Sequence, residues 1–367
     1  VSESQAATSL VPTAEALADR LSQAILGIFD VYSVYLGVRL GFYRSLFVEG
    51  SATSTELAGR ARTEERYTRE WLEQQAVTGI LTCDSPDAPS LERRFSLPAG
   101  YERILLNETS PSPMGAYAQC LAGVFAPLHE LVAAFRSGAG IPYENYGVDM
   151  LAGQAGTTRP HFTNSLATHW IPAIPEVHAR LLALPPAKVA DIGVGAGWSS
   201  IEIARAYPHV EVDGFDLDPA SILAAQANAW QEGFSDRVRF HHRDAADPEL
   251  PGTYDFALAF ECIHDMANPV AALAAIRRLI EPDGLALIVD EKPADRFTPN
   301  GDENERTLYG FSVFHCLPVG RNGVDAVATG AVMRTETFRE YATAAGFSRI
   351  AVLPMPTDAF RFYLLRP

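Results

Sequence analysis

Three glycines at positions 193, 195 and 197, an Asp216/Asp218 pair, Asp244, and the dipeptide His264-Asp265 are the positions in this chain whose types and spacing could do chemistry. Glycines at alternate positions let the backbone turn sharply and approach a ligand closely, and the helix that follows points unpaired N–H groups at whatever sits there. This is the environment of a nucleotide-like cofactor. The dinucleotide spacing G-x-G-x-x-G needs a small residue where Trp198 stands, so the turn favours a cofactor without a pyrophosphate. Asp216 falls roughly 20 to 25 residues beyond the turn, where folds of this kind bind ribose hydroxyls, and Asp218 is the second choice. Asp244 is placed to accept from an adenine amino group. Any one of these aspartates taken alone could simply cap a helix. Asp191, Leu217, Ala245 and Glu261, adjoining these positions, complete the cofactor-binding set. An imidazole at 264 suits proton transfer near neutral pH, and its structural alternative is a helix cap.

The elements that must position these groups are legible as strand-like runs separated by helices. Val189–Ile192 runs into the glycine turn and a helix over 199–207; Val210–Asp218, Val238–Ala245 and Tyr254–Phe260 follow. Each candidate residue lies at the carboxyl end of such a run, where open α/β sheets hold their ligands. After EPDGLALIVDE come a helix over 335–345 and two closing runs, AGFSRIAVLP and AFRFYLLRP.

Together VADIGVGAG, VDGFDLD, HHRDAAD, YDFALAFECIHDM and EPDGLALIVDE resemble the class I S-adenosylmethionine-dependent methyltransferases, over residues 185–367. The resemblance implies an α/β, Rossmann-like sheet of seven strands with the last antiparallel, and S-adenosylmethionine as cofactor. It also implies the His-Asp pair of small-molecule O-methyltransferases, in which His264 would remove the acceptor's hydroxyl proton beside Asp265, with an acidic residue of the Asp290-Glu291 pair, Glu291 by preference, buttressing the base. A second resemblance, to bacterial 2-oxo acid C-methyltransferases, implies a divalent metal held by His264, Asp265 and His315, a 2-His-1-carboxylate set. His315 could equally face the pocket from a lid helix. A fold that hosts varied reactions leaves a non-methylating relative open.

Upstream, Leu17, Leu21, Ile25, Ile28, Phe29, Tyr32, Tyr35 and Leu36 recur at helical spacing, a stripe expected in a core or, less often, on a dimer surface. A capped helix at Ser54–Ala58, a capping-box start at Thr63–Arg66, and an extended pair from Gly79 to Leu97 make a mainly α-helical winged-helix domain. A DNA-reading helix would offer Arg66 and Arg69 against Glu64, Glu65, Glu70 and Glu73, the wrong balance for phosphates. A net charge of −16 also opposes polyanion binding. The different-class alternative is a cofactor-sensing regulator that binds DNA through this domain.

The expected division is a disordered tail (1–12), a winged-helix dimerisation domain (13–136), connector helices (137–184) and the cofactor-binding catalytic domain (185–367), with loops at 137–142 and 153–159. Four scattered cysteines without a C-x-x-C pair suit a reducing cytoplasm. Asp30, Arg39 and Arg44 interrupt the most apolar segment, so no membrane span is expected. The expected partners are a small-molecule acceptor and a second copy of the chain.

Overall fold

The structure is a computed structural model that describes residues 13–367; the expected tail lies outside the described residues. It divides into two compact units, the first ending at Asn107 and the second running from Glu108 to Pro367.

The first unit holds α1 (Ala14–Arg39), α2 (Phe42–Glu49), α3 (Ser54–Ala61), α4 (Glu65–Val77), the short antiparallel pair β1 (Thr82–Cys83) and β2 (Phe95–Ser96), and α5 (Glu102–Leu105). Thr53 and Glu56 close a reciprocal capping box on α3. The capping box expected for α4 does not form: Thr63 bonds Thr68 instead and Glu64 takes the cap position without a side-chain bond. The core gathers Phe42, Tyr43, Leu57, Trp71, Leu72 and Phe95. The apolar stripe of α1 does not join it. Leu21, Ile25, Ile28 and Phe29 are all more than half exposed, so the expectation of a core stripe is corrected. By length and composition alone, α1 is apolar enough to cross a bilayer.

The second unit opens with α6 (Met114–Val124), α7 (Leu128–Ser137), α8 (Gly147–His161) and α9 (Pro175–Leu182). Its first two helices fall within the residues expected in the winged-helix domain, and α6 packs on α8. The loop expected at 153–159 is part of α8. Glycine and threonine there are poor helix formers, but α8 lies so close to α6 that a Cβ on Gly153 would stand 2.2 Å from the Cys120 nitrogen. Close packing overrides propensity. Pro160 ends the regular hydrogen bonding, and the chain continues as a π-helical stretch over Phe162–Trp170.

The sheet follows: β3 (Lys188–Ile192), α10 (Trp198–Ala206), β4 (Glu211–Asp216), α11 (Pro219–Gln231), β5 (Val238–His242), β6 (Tyr254–Phe260), α12 (Pro269–Leu279), β7 (Ile280–Glu291), α13 (Glu303–Phe311), α14 (Leu317–Gly320), α15 (Thr335–Ala344), β8 (Arg349–Leu353) and β9 (Phe360–Arg366). Its order is β5-β4-β3-β6-β7-β9-β8, parallel except for β9, which pairs antiparallel with both β7 and β8. Strands such as β6 are apolar on both faces because helices cover both: Phe256 and Leu258 enter one core layer, Ala257 and Ala259 the other. Strand order reverses between β3 and β6, which opens a crevice at their carboxyl ends.

Candidate active site

That crevice is a cavity of about 680 Å³. Its floor is the turn between β3 and α10, where Gly193, Gly195 and Gly197 have φ of 66°, 53° and 82°, a region that penalises any Cβ. At Gly197 a Cβ would press on Phe240 and Ala225 at 2.7 and 2.9 Å; at Gly195 it would meet no protein atom within 4 Å and would fill the cavity instead. One glycine serves packing and the other leaves room for a ligand.

The cavity wall includes Asp191, Gly193, Gly195, Asp216, Leu217, Asp244, Ala245 and Glu261. Gly197, assigned with them from sequence, is not on the wall. Asp216 ends β4 and accepts the Gly195 N–H at 2.8 Å and the Asp218 N–H at 2.9 Å, which fixes its carboxylate at the rim of the turn. Asp218 also lines the cavity, but its carboxylate caps α11 through the Ser221 N–H at 2.7 Å. Asp244 accepts from the Ala246 N–H at 2.8 Å. Asp191 is fully buried and accepts from Ser199 and Ser200 at 2.5 and 2.6 Å. Burial pushes its pKa up to about 7 against the pull of both hydroxyls. Glu261, held at a left-handed φ of 49°, is likewise raised to about 7 by burial, with Asp290 adding to it. A non-glycine residue in that region stores backbone strain, and such strain clusters at functional sites.

Behind the wall lies a second cluster. His264, on a short 3₁₀ turn after β6, is 2% exposed. Its Nδ1 faces Asp290 and stands 2.9 Å from Glu291, while its Nε2 stands 3.0 Å from Asp265. Burial alone would lower the imidazole's pKa, but the charges of Asp265, Asp290 and Glu291 outweigh it and hold the ring well above its usual value. Burial holds Glu291 well above the ordinary range, whereas burial of Asp265 and Asp290 is outweighed by His264, which pulls both down. The result is an imidazole ringed by three acidic side chains, whose charge favours its protonated form. Both ring nitrogens face acidic partners in this arrangement.

Of this cluster only Asp265 reaches the cavity wall; His264, Glu291 and His315 do not. His315 sits in a π-helical turn over Ser312–Cys316 and is buried, its Nδ1 4.0 Å from Asp265. Donor atoms within 4.8 Å of one another form the sets His264/Asp265/Cys316 and His264/Asp290/Glu291. The expected set with His315 is not one of them.

Gln154, Asn322 and Cys316 escaped the sequence reading. Gln154 was hidden in the supposed loop, Cys316 adjoins His315, which the resemblance preferred as the ligand, and no local pattern ties Asn322 to the site.

Comparison with known proteins matches residues 189–284 to a methyltransferase domain and residues 31–105 to an Rv2258c-like winged HTH domain. Among curated proteins, norajmaline N-methyltransferase of Rauvolfia serpentina is 28% identical over 124 residues, 29% of this chain and 42% of that protein. The chain thus matches under half the length of this relative. Among solved structures, mitomycin 7-O-methyltransferase MmcR superposes with a TM-score of 0.69 at 18% identity, covering 96% of this chain and 98% of that one. PigF with SAH gives 0.71 at 18% identity, covering 97% and 100%. The shared fold extends over both units.

Proposed function

Because this chain carries a methyltransferase domain behind a winged helix-turn-helix domain, we propose that it transfers the methyl group of S-adenosylmethionine to a small-molecule acceptor, by preference onto oxygen. The observation that carries this reading is the crevice between β3 and β6, where open space at Gly195 adjoins the fixed carboxylate of Asp216. In this reading Asp216 accepts from the ribose hydroxyls, Asp244 from the adenine amino group, and Asp191 and Glu261 face the cationic end of the cofactor. S-adenosylmethionine, when bound, supplies a methyl on a sulfonium already activated for in-line displacement.

The protein therefore mainly aligns two partners. Positioning supplies about 7–11 kcal/mol, whereas a general base contributes ~10²–10⁴-fold. His264 becomes that base once Asp265, moving off Nε2, carries away the Nε2 proton and leaves a neutral ring facing the acceptor's hydroxyl. Asp290 and Glu291 keep the ring oriented through Nδ1, and Asp290 stabilises the imidazolium that forms, the logic of a catalytic triad. Calorimetry with S-adenosylhomocysteine, then incubation with labelled cofactor and a panel of phenols and 2-oxo acids, tests this. No affinity for S-adenosylhomocysteine would end the proposal, and cofactor binding with no transfer to any acceptor would favour a sensor or a non-methylating relative.

A second reading rests on Asp265 Oδ1, buried without a hydrogen-bond partner. An unsatisfied buried carboxylate oxygen beside an imidazole suits a divalent cation. His264 and Asp265, with Cys316 in place of the expected His315, would hold it, and its Lewis acidity would serve C-methylation of a 2-oxo acid. Elemental analysis of untagged protein checks this, with protein free of metal after reconstitution as the adverse result.

The winged-helix unit is proposed to dimerise rather than read DNA. On α4, Arg66 pairs with Glu70 and Arg69 with Glu65, and beside them Arg93 pairs with Glu73, so few cations are free for phosphates. The exposed stripe Leu21–Ile25–Phe29 of α1 is assigned to a second copy of this chain. Four unpaired cysteines suit the cytoplasm as the compartment.

A further inference from the structure

Among the described residues, every charged side chain lining the cofactor cavity is a carboxylate. An acceptor with a carboxylate or phosphate of its own would enter a desolvated space of like charge with no cationic side chain on the wall to meet it.

Six neutral hydrogen-bonding side chains on the same wall have partners within the protein, while Asn322 and Trp198 also line it. Ser199 donates to Asp191 at 2.5 Å and Ser221 to Asp218 at 2.7 Å. Thr158 donates to the Gln154 carbonyl at 3.1 Å, and Asn268 accepts the Ala271 N–H at 3.0 Å to cap α12. Tyr143 and Gln154 bond each other, Oη to Oε1 at 2.7 Å. Whichever way the amide is turned, this pair keeps two spare donors and at least one spare acceptor.

The pair is held rigidly. Tyr143 packs edge-on against His315 with ring centroids 5.7 Å apart. Its turn is tied to the segment after α13 by the Ile141 N–H to the Pro318 carbonyl and by the Tyr146 hydroxyl to the Phe314 carbonyl, both at 3.0 Å. Burial keeps the Tyr143 phenol well above its usual pKa, so it stays a donor.

We propose that the Tyr143–Gln154 pair selects the acceptor: a molecule without negative charge that places a hydroxyl or carbonyl oxygen on this pair. The proposal rests on the methyl-transfer reading. Spending a buried donor and acceptor on recognition makes selection sharp, because a molecule that cannot pair leaves both unsatisfied.

The test uses the full chain saturated with S-adenosylhomocysteine, titrated with catechol and with 3,4-dihydroxybenzoate, which differ by one carboxylate. Catechol is expected to bind at least about 10-fold more tightly, as repulsion from buried carboxylates requires. Tyr143→Phe and Gln154→Leu are each expected to weaken catechol by about 5-fold, the worth of one hydrogen bond, while S-adenosylhomocysteine affinity stays within about 2-fold. Equal or tighter binding of 3,4-dihydroxybenzoate, catechol binding unchanged in both variants, or no catechol binding to the cofactor-product complex would overturn the proposal. Wild-type protein that fails to bind S-adenosylhomocysteine would instead remove the methyl-transfer reading, and this one with it.

Discussion

His264 Nε2 lies 3.0 Å from the carboxylate of Asp265, its neighbour in the chain, so the ring nitrogen that would take an acceptor's proton is closed by the residue beside it. Asp265 lines the cavity and His264 does not. Under the methyl-transfer proposal an acceptor would meet the carboxylate first and reach the imidazole by displacing it.

On this arrangement His264→Ala should cut methyl transfer by ~10²–10⁴-fold, the range for loss of a general base. S-adenosylhomocysteine affinity, read by calorimetry, should stay within about 2-fold. Turnover equal to wild type would take His264 out of the mechanism.

Asp216 and Asp218 should separate cleanly. Asp216→Ala removes a fixed carboxylate from the cavity wall and should weaken cofactor binding by about 10- to 100-fold, the range for hydrogen bonds to a charged group. Asp218→Ala removes the cap of α11 and should cost about 0.5–2 kcal/mol of stability, with the smaller effect on affinity. Denaturant unfolding and calorimetry on both variants distinguish them, and the reverse ranking would reassign the ribose contact.

Asp191 makes stability depend on pH. Its folded pKa of about 7 lies above the ordinary 3.8, so the stability it permits is fully present below pH 3.8 and is lost as pH rises through 7. The penalty for ionising it is at most roughly 4 kcal/mol. Asp191→Asn, which keeps an acceptor for Ser199 and Ser200, should gain on wild type from about pH 4 to about pH 7 and then level off. Melting temperatures across that range check it; a difference independent of pH would show that Asp191 is ionised in the folded protein.

Gly153→Val should destabilise the second unit by at least about 1–3 kcal/mol, the usual cost of overpacking, because the new Cβ would stand 2.2 Å from the Cys120 nitrogen. Val148→Ala, at an exposed position of the same helix, serves as the control. Equal unfolding midpoints for the two variants would contradict the close approach of α6 and α8.

Ile25→Asp and Phe29→Asp should convert a dimer to a monomer in analytical ultracentrifugation, since each buries a charge if α1 meets its copy. A wild-type protein that sediments as a monomer would refute the pairing.

Strand, turn and helix around Gly193–Gly197, and the carboxylates at strand ends, were legible because they are local: period, backbone freedom and chain spacing act over a few residues. The same locality explains the misreading of 153–159. Gly153 and Gly156 look like loop residues until α6 is laid against them, where Cys120 and Ala116 leave no room for a side chain.

What the amino-acid order alone determined is thus the sheet, its glycine turn and the kind of cofactor it can receive. Tertiary structure decided the rest. Asp290 stands 26 residues from His264 in the chain and meets its ring only in the fold, and Tyr143, more than a hundred residues away, joins the same unit's cavity wall, where it meets Gln154 at 2.7 Å. Electrostatics in a desolvated site is set by who the neighbours are, and folding chooses them.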